Sequence, residues 1–375
     1  QDVQHVVQKL LKAIWKGIRG LPLYRIDPAK DGYLLEIEEA EDFPKLNYME
    51  ALTKYGIDKP DLRSTLYIQD VSQYFNGMPL KRSDFAVTEA CVLKGALKLQ
   101  KPSRELFIPE NYSMRRPYVF KIRDEGELKS WARALPNGSN VSISDLNKKL
   151  GLEVGDIIAI SDRQAFPYES PTPLGRFRQI AMINFPNSWR RHVIGSSDPT
   201  TRDIFVASWL VNFPLFSPTE GKIIDGYPEY DFSKLESTHH PFTMVKLEDY
   251  DLLDKEPLKA KGDHYDLVVN GVEVGGGSRR VHDAKLQQFI FSNILKIDNY
   301  PALFGHLLRA LSSGCPPHAG LAIGFDRMCS MLLGSSTIRD VVAFPKTQTG
   351  TDPVVESPSN IPDKTLALYG ISVRK

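Results

Sequence analysis

The run Tyr265-Asp266-Leu267-Val268-Val269-Asn270-Gly271-Val272-Glu273-Val274-Gly275-Gly276-Gly277-Ser278-Arg279-Arg280-Val281-His282 decides how the rest of the chain is read. Two apolar segments flank Asn270-Gly271, a dipeptide that supplies the positive-φ residues of a tight hairpin. Asp266 and Glu273 are an odd number of residues apart, and folding the chain back at that turn can bring both carboxylates to one floor. Two carboxylates on one floor can hold hard cations such as Mg²⁺, typically shared with phosphate oxygens. Gly275, Gly276 and Gly277 let the backbone pass close to a ligand where a Cβ would clash. Arg280 follows at the edge of that gap, where a planar guanidinium can grip a carboxylate bidentately. A surface hairpin with a glycine bulge and solvated charges is the plainer reading of this segment alone. The glycines do not form a nucleotide P-loop, because no Gly-Lys is followed by Ser or Thr.

Downstream, Pro316-Pro317-His318-Ala319-Gly320-Leu321-Ala322-Ile323-Gly324-Phe325-Asp326-Arg327-Met328 runs a small-residue strand into a helix that starts at Asp326. Arg327 then lies in the first helical turn, next to unsatisfied backbone N–H groups. An arginine at a helix N-terminus suits polyphosphate, although taken alone such an arginine is more often an ordinary surface charge. The two segments together favour a nucleotide-using site.

Outward from these motifs, 375 residues against a prior of about 150 per domain predict two or three domains with a sizeable core. Lys plus Arg number 47 and Asp plus Glu 46, so no bulk positive charge announces a nucleic-acid or membrane-surface protein. Any nucleic-acid contact must be local. With 42% hydrophobic and 25% charged residues the chain falls in the globular range and outside the disordered classes. Cys91, Cys315 and Cys329 form no CxxC and no zinc-finger spacing, which fits a reducing or matrix compartment. No apolar run reaches the roughly 18 residues of a membrane span. The opening Gln-Asp-Val-Gln-His has neither an initiator Met nor a signal-peptide core, so the chain reads as processed or cut at its start.

Val3, Val6, Val7, Leu10, Leu11, Ile14, Trp15 and Ile18 make a helical stripe that Gly20 and Pro22 stop. The pattern predicts a strand over 33–37, a helix over 48–55, strands over 118–122, 156–161, 204–211, 265–270 and 319–323, and helices near 284–295 and 326–333. Pro102, Pro109, Pro117, Pro136, Pro167, Pro171 and Pro173 punctuate the middle of the chain, which reads as a small inserted α+β domain. The expected division is 1–75 and 201–375 as two parts of one catalytic domain, with 76–200 inserted.

The stretch 319–332 resembles motif 3 of the class II aminoacyl-tRNA synthetases, and 264–282 resembles the aspartyl-specific form of the hairpin before it. The resemblance extends to Phe43-Pro-Lys-Leu-Asn-Tyr48, Tyr55-Gly-Ile-Asp-Lys-Pro-Asp-Leu-Arg63, Trp209-Leu-Val-Asn-Phe-Pro-Leu-Phe216, His239-His240-Pro-Phe-Thr243 and Ile338-Arg-Asp-Val-Val-Ala-Phe-Pro-Lys346, in the family's order. The tail from Lys346 to Val373 looks most like the mitochondrial branch. The fold this implies is α+β, an antiparallel sheet flanked by helices.

The same resemblance implies an aspartate–tRNA ligase whose substrates are ATP, L-aspartate and tRNA(Asp), working with Mg²⁺ in the mitochondrial matrix as a homodimer without a membrane. It implies that Arg327 binds the ATP γ-phosphate, with Gly324 beside it in the ATP site, and that Asp266 and Glu273 bind Mg²⁺ with ATP. Arg280 then takes the aspartate side-chain carboxylate, Gly275, Gly276 and Gly277 lie under the adenylate, and His239 and His240 close over the amino acid. Arg327, Glu273 and Arg280 are the expected catalytic residues. His5, His192, His264, His306 and His318 are read as structural or surface residues.

Phe120-Lys-Ile-Arg123 imitates the family's motif 2 but follows the 58–63 landmark instead of preceding it, so it is read as a decoy. The family's anticodon-binding barrel and motifs 1 and 2 are expected upstream of Gln1. Asn212 stands where the family usually has Asp. The competing readings are an asparaginyl-type synthetase, which Arg280 and the insertion disfavour, and a non-catalytic synthetase-like binding protein.

Overall fold

The computed structural model describes residues 2–99, 103–112, 115–195 and 203–374. They fall into two compact units, Gln1–Ile323 and Gly324–Lys375. The first contains a five-stranded sheet whose members in chain order are β1 (Lys45–Asn47), β2 (Ala207–Val211), β3 (His264–Val269), β4 (Val272–Arg279) and β5 (Ala319–Ile323), arranged β5-β4-β3-β2-β1. Neighbours are antiparallel except that β1 runs parallel to β2. The sheet is thus the expected antiparallel one, with a single parallel pair at its edge. Parallel pairing needs a long crossover, and the chain between β1 and β2 supplies one.

Period-two alternation divides the sheet into two faces. On one, Trp209 is fully buried, and its Nε1 donates to Gln8 Oε1 of helix α1 (Asp2–Ile14) at 3.3 Å. On the other, Leu210 and Val268 join Ala51 and Tyr55 of helix α2 (Tyr48–Tyr55) in one core. Burial of each such side chain contributes about 1.5–3 kcal/mol. The second face continues along β3 into His264 and Asp266.

Helix α1 ends in a π-helical turn, Trp15–Arg19, capped by Gly20 at φ 65°. The apolar stripe is wider than the face that is buried: Leu11 and Trp15 are fully enclosed, whereas Val6, Leu10 and Ile18 remain exposed. Gln8 is buried in their stead. The backbone N–H of Phe43 also donates to its Oε1, at 3.2 Å, so burial leaves this oxygen satisfied.

The middle of the chain builds a second, antiparallel sheet in the order Ile68–Asp70, Val87–Leu93, Ile157–Arg163, Tyr118–Lys121. Every residue of Ile157–Arg163 is buried. Ile157 and Ala159 face a core with Phe177, and Ile158 and Ile160 face another with Trp131 and Leu146. Arg123 of the decoy belongs to this region, 2.6 Å from Glu127. The fully buried Arg178 of the Pro173–Asn184 helix donates to the carbonyls of Tyr55 at 2.6 Å and Leu66 at 2.8 Å, tying this region to α2. A ribbon of Phe216–Ile224 and Tyr227–Ser237, which the sequence pattern does not predict, brings Tyr227 against Phe85 with ring centroids 4.9 Å apart. Among the described residues no helix is long and apolar enough to cross a membrane.

Candidate active site

The β3–β4 hairpin turns at Asn270 and Gly271, with φ of 51° and 80°. These are the two positive values a type I′ turn demands. Asn270 holds the turn in place: its Oδ1 accepts from Val206 N and its Nδ2 donates to Ile204 O, both at 2.9 Å. A Cβ on Gly271 would come within 3.1 Å of Asp61, so the loop after α2 packs directly under the turn. Asp61 is fixed by Arg63 through bonds of 2.9 and 2.7 Å.

This packing carries Lys59 across the hairpin. Its ammonium lies 2.5 Å from Asp58, 3.5 Å from Asp266 Oδ2 and 3.6 Å from Glu273 Oε2. Burial works to lower the Lys59 pKa, but the three carboxylates outweigh it and the net shift is upward. For Asp266, burial works to raise the carboxyl, yet the hydrogen bond and charge of His264, together with Lys59, hold it below the usual range. The carboxylate is therefore ionised at neutral pH.

Asp266 and Glu273 share a face, as their spacing around a two-residue turn requires. The glycines behave differently. A bulge between Leu267 and Val268 pairs Leu267 with Gly275 and Asp266 with Gly276, leaving Val274 as the extra residue. One extra residue reverses the alternation beyond it. Gly276 consequently faces the carboxylates, with a built Cβ 2.6 Å from Asp266 Oδ1 and 3.2 Å from Glu273 Oε1. Gly275 and Gly277 face β5, where Cβ atoms would meet Ala322 O at 2.6 Å and Gly320 O at 2.0 Å. The expectation that all three glycines underlie a ligand narrows to Gly276, because the other two are needed for close approach of strands.

His264 shares the Asp266 face and bonds to it, Nε2 to Oδ1, at 2.9 Å. The imidazole of His239 stacks on His264 with centroids 3.7 Å apart, and Phe213 packs edge-on against both. Next to them, Arg280 follows the end of β4. Its Nη1 donates to His240 Nδ1 at 3.0 Å, and its backbone N–H donates to His318 O at 2.9 Å. His239 is lowered to about 4 by burial and then by His264. His240 is lowered to about 4 by burial and then by the Arg280 charge. Both rings are neutral at physiological pH. One connected surface thus runs from Arg280 through His240, His239 and His264 to Asp266, Glu273 and Lys59.

Gly324 is the N-cap residue of helix α3 (Phe325–Leu333) and Arg327 its third residue, in the second compact unit. Asn212 adopts φ 63°, a conformation Asn and Asp tolerate better than most residues. Its Nδ2 donates to Asn47 Oδ1, and its own Oδ1 is buried without a hydrogen-bonding partner among the described residues.

Two residues of this surface escaped the sequence reading as site groups. His264 stands two before Asp266, and that period-two spacing on a strand was a usable signal. Lys59 stands more than 200 positions before the hairpin and gives no such sign.

The sequence matches the family described as tRNA synthetases class II (D, K and N) over residues 1–348. The chain belongs to that family. Among curated class II relatives it is 42% identical to the mitochondrial aspartate–tRNA ligase of Saccharomyces cerevisiae, over 99% of this chain and 58% of the relative. It is 37% identical to the Schizosaccharomyces pombe protein of the same name, over 100% of this chain and 56% of the relative. It is also 32% identical to the aspartate–tRNA(Asp/Asn) ligase of Opitutus terrae, over 98% and 57%. The chain therefore spans somewhat over half the length of these synthetases.

Proposed function

We propose that this chain carries the amino-acid and metal half of an aspartate–tRNA ligase that activates L-aspartate with ATP and passes it to tRNA(Asp) in the mitochondrial matrix. The observation that carries the reading is Arg280, a cation beside the neutral His240 at the end of a floor of carboxylates. A side-chain carboxylate suits that guanidinium, and the neutral ring adds no charge of its own. His239 and His240 close over the amino acid, and Gly276 keeps the floor free of a side chain.

Asp266 and Glu273 are the Mg²⁺ ligands in this reading. Their fit to a cation is supported by Lys59, whose ammonium already lies between their oxygens. Mg²⁺ bound there with ATP supplies neutralisation of phosphate charge. Arg327 takes the γ-phosphate and Gly324 belongs to the same nucleotide site. The aspartate α-carboxylate attacks the ATP α-phosphate, giving aspartyl-adenylate and pyrophosphate, and a terminal ribose hydroxyl of tRNA then attacks the aspartyl carbonyl, forming the ester and releasing AMP. These residues act by positioning and charge neutralisation.

We also assign 1–75 and 201–375 to one catalytic domain with 76–200 inserted, the strand Ile68–Asp70 pairing onto the sheet of the insertion, and a homodimeric state to the whole enzyme. The test of function is ATP–pyrophosphate exchange by the full-length protein with each of aspartate, asparagine and lysine. Exchange supported by aspartate above the other two is the expected result. Exchange with none, or with another amino acid first, overturns the reading.

A further inference from the structure

Asp266 has two chemically different sides. Oδ2 faces Lys59, whereas Oδ1 faces the imidazole of His264, on which His239 is stacked. One ligand atom each from His239, His264 and Asp266 lies within 4.8 Å of the other two. Two imidazoles and a carboxylate are the donor set of borderline first-row cations, with positions left open for further ligands. From these observations we propose that His239, His264 and Asp266 form a binding site for Zn²⁺ and ions like it, distinct from the hard-cation pair Asp266 and Glu273 and sharing one carboxylate with it.

Tetrahedral ligands at about 2.0–2.2 Å from one Zn²⁺ stand about 3.3–3.6 Å apart, so atoms now up to 4.8 Å apart close by up to about 1.5 Å, a movement that falls to the His239 side chain. His264 is buried, and its Nδ1 has no hydrogen-bonding partner among the described residues. Pairing within the protein therefore leaves that ring only partly used. The two rings are stacked and only 22° from parallel, and an imidazole lone pair lies in its ring plane, so a shared cation requires the His239 ring to turn off the stack. A cation held there draws on the Asp266 carboxylate that the hard-cation pair also needs, so loading with Zn²⁺ antagonises Mg²⁺ at the floor.

The test uses the untagged full-length protein with Co²⁺ as the probe and no nucleotide or amino acid present. Its outcome is therefore independent of whether aspartate is the substrate. We expect one equivalent of Co²⁺ to bind with visible d–d absorption. H239Q and H264Q should each weaken binding more than about tenfold, the low end of what even outer-shell partners of a metal contribute. H240Q, next in sequence but outside the set, should leave it unchanged. If H264Q does not fold, H239Q decides, because His239 is the more exposed of the two residues. Absence of Co²⁺ absorption in the parent protein, or equal affinity in H239Q, overturns the site.

Discussion

The ammonium of Lys59 lies 3.5 Å from the Asp266 carboxylate, although the two residues come from opposite sides of a long intervening segment. At that distance a unit charge interacts by roughly 1–5 kcal/mol for effective dielectric constants from water down to about 20. Lys59 is thus a resident competitor for any cation that uses Asp266 and Glu273. Lys59→Gln should tighten Mn²⁺ binding to the nucleotide-free protein by about tenfold, read by electron paramagnetic resonance. Weaker binding in the variant would mean that Lys59 helps to assemble the site.

Aspartate and asparagine have nearly the same shape, so the choice between them must be read as charge. Opposite an amide, a guanidinium loses one of its two charge-assisted bonds, at a cost of roughly 3–5 kcal/mol where the charge is left unpaired. Arg280→Leu in the full-length protein should lower the aspartate-to-asparagine ratio of adenylate formation by about two orders of magnitude, and Arg280→Lys should restore it only in part. An unchanged ratio in the Leu variant assigns discrimination to other residues.

His240 is held at about 4, first by burial and then by the Arg280 charge. Between that value and an ordinary pKa of about 6.5 the folded state carries fewer protons than the unfolded one, so this group costs stability as the pH falls through that window. Removing the Arg280 charge relieves one cause. The His240 imidazole, followed by NMR, should titrate at higher pH in Arg280→Leu than in the parent, and an unmoved resonance would contradict the contact.

The bulge at Val274 predicts opposite outcomes at adjacent glycines. A Cβ on Gly277 meets Gly320 O at 2.0 Å, a backbone atom that cannot move alone. Gly277→Ala should therefore lower stability by about 1–3 kcal/mol or more in denaturant titrations. A Cβ on Gly276 meets the movable side-chain oxygen Asp266 Oδ1 at 2.6 Å. Gly276→Ala should spare stability by comparison and impair Mn²⁺ binding. The reverse pattern would place the bulge elsewhere.

Arg327 sits in the first turn of α3, where a positive charge opposes the helix dipole. Arg327→Ala should leave the fold intact while reducing ATP–pyrophosphate exchange by orders of magnitude. Exchange near the parent rate would remove it from the nucleotide site.

The hairpin was legible because its signals are local: Asn270-Gly271 dictates the turn, and the spacing of Asp266 and Glu273 around it dictates their common face. The helix over 48–55 and the strand over 319–323 were readable for the same reason, their patterns being set by neighbours a few residues away. The order of motifs along the chain likewise marked the family. Tertiary structure alone decided which glycine faces the carboxylates, because a bulge depends on the partner strand. It alone decided that Gln8 is buried while Val6 and Leu10 are exposed, because that depends on Trp209 and Phe43. Lys59 shows the physical reason most directly. Its charge has no local partner beyond Asp58 until folding places the 58–63 loop under the hairpin turn, and the energy that defines the site then comes from charges more than 200 residues apart in sequence.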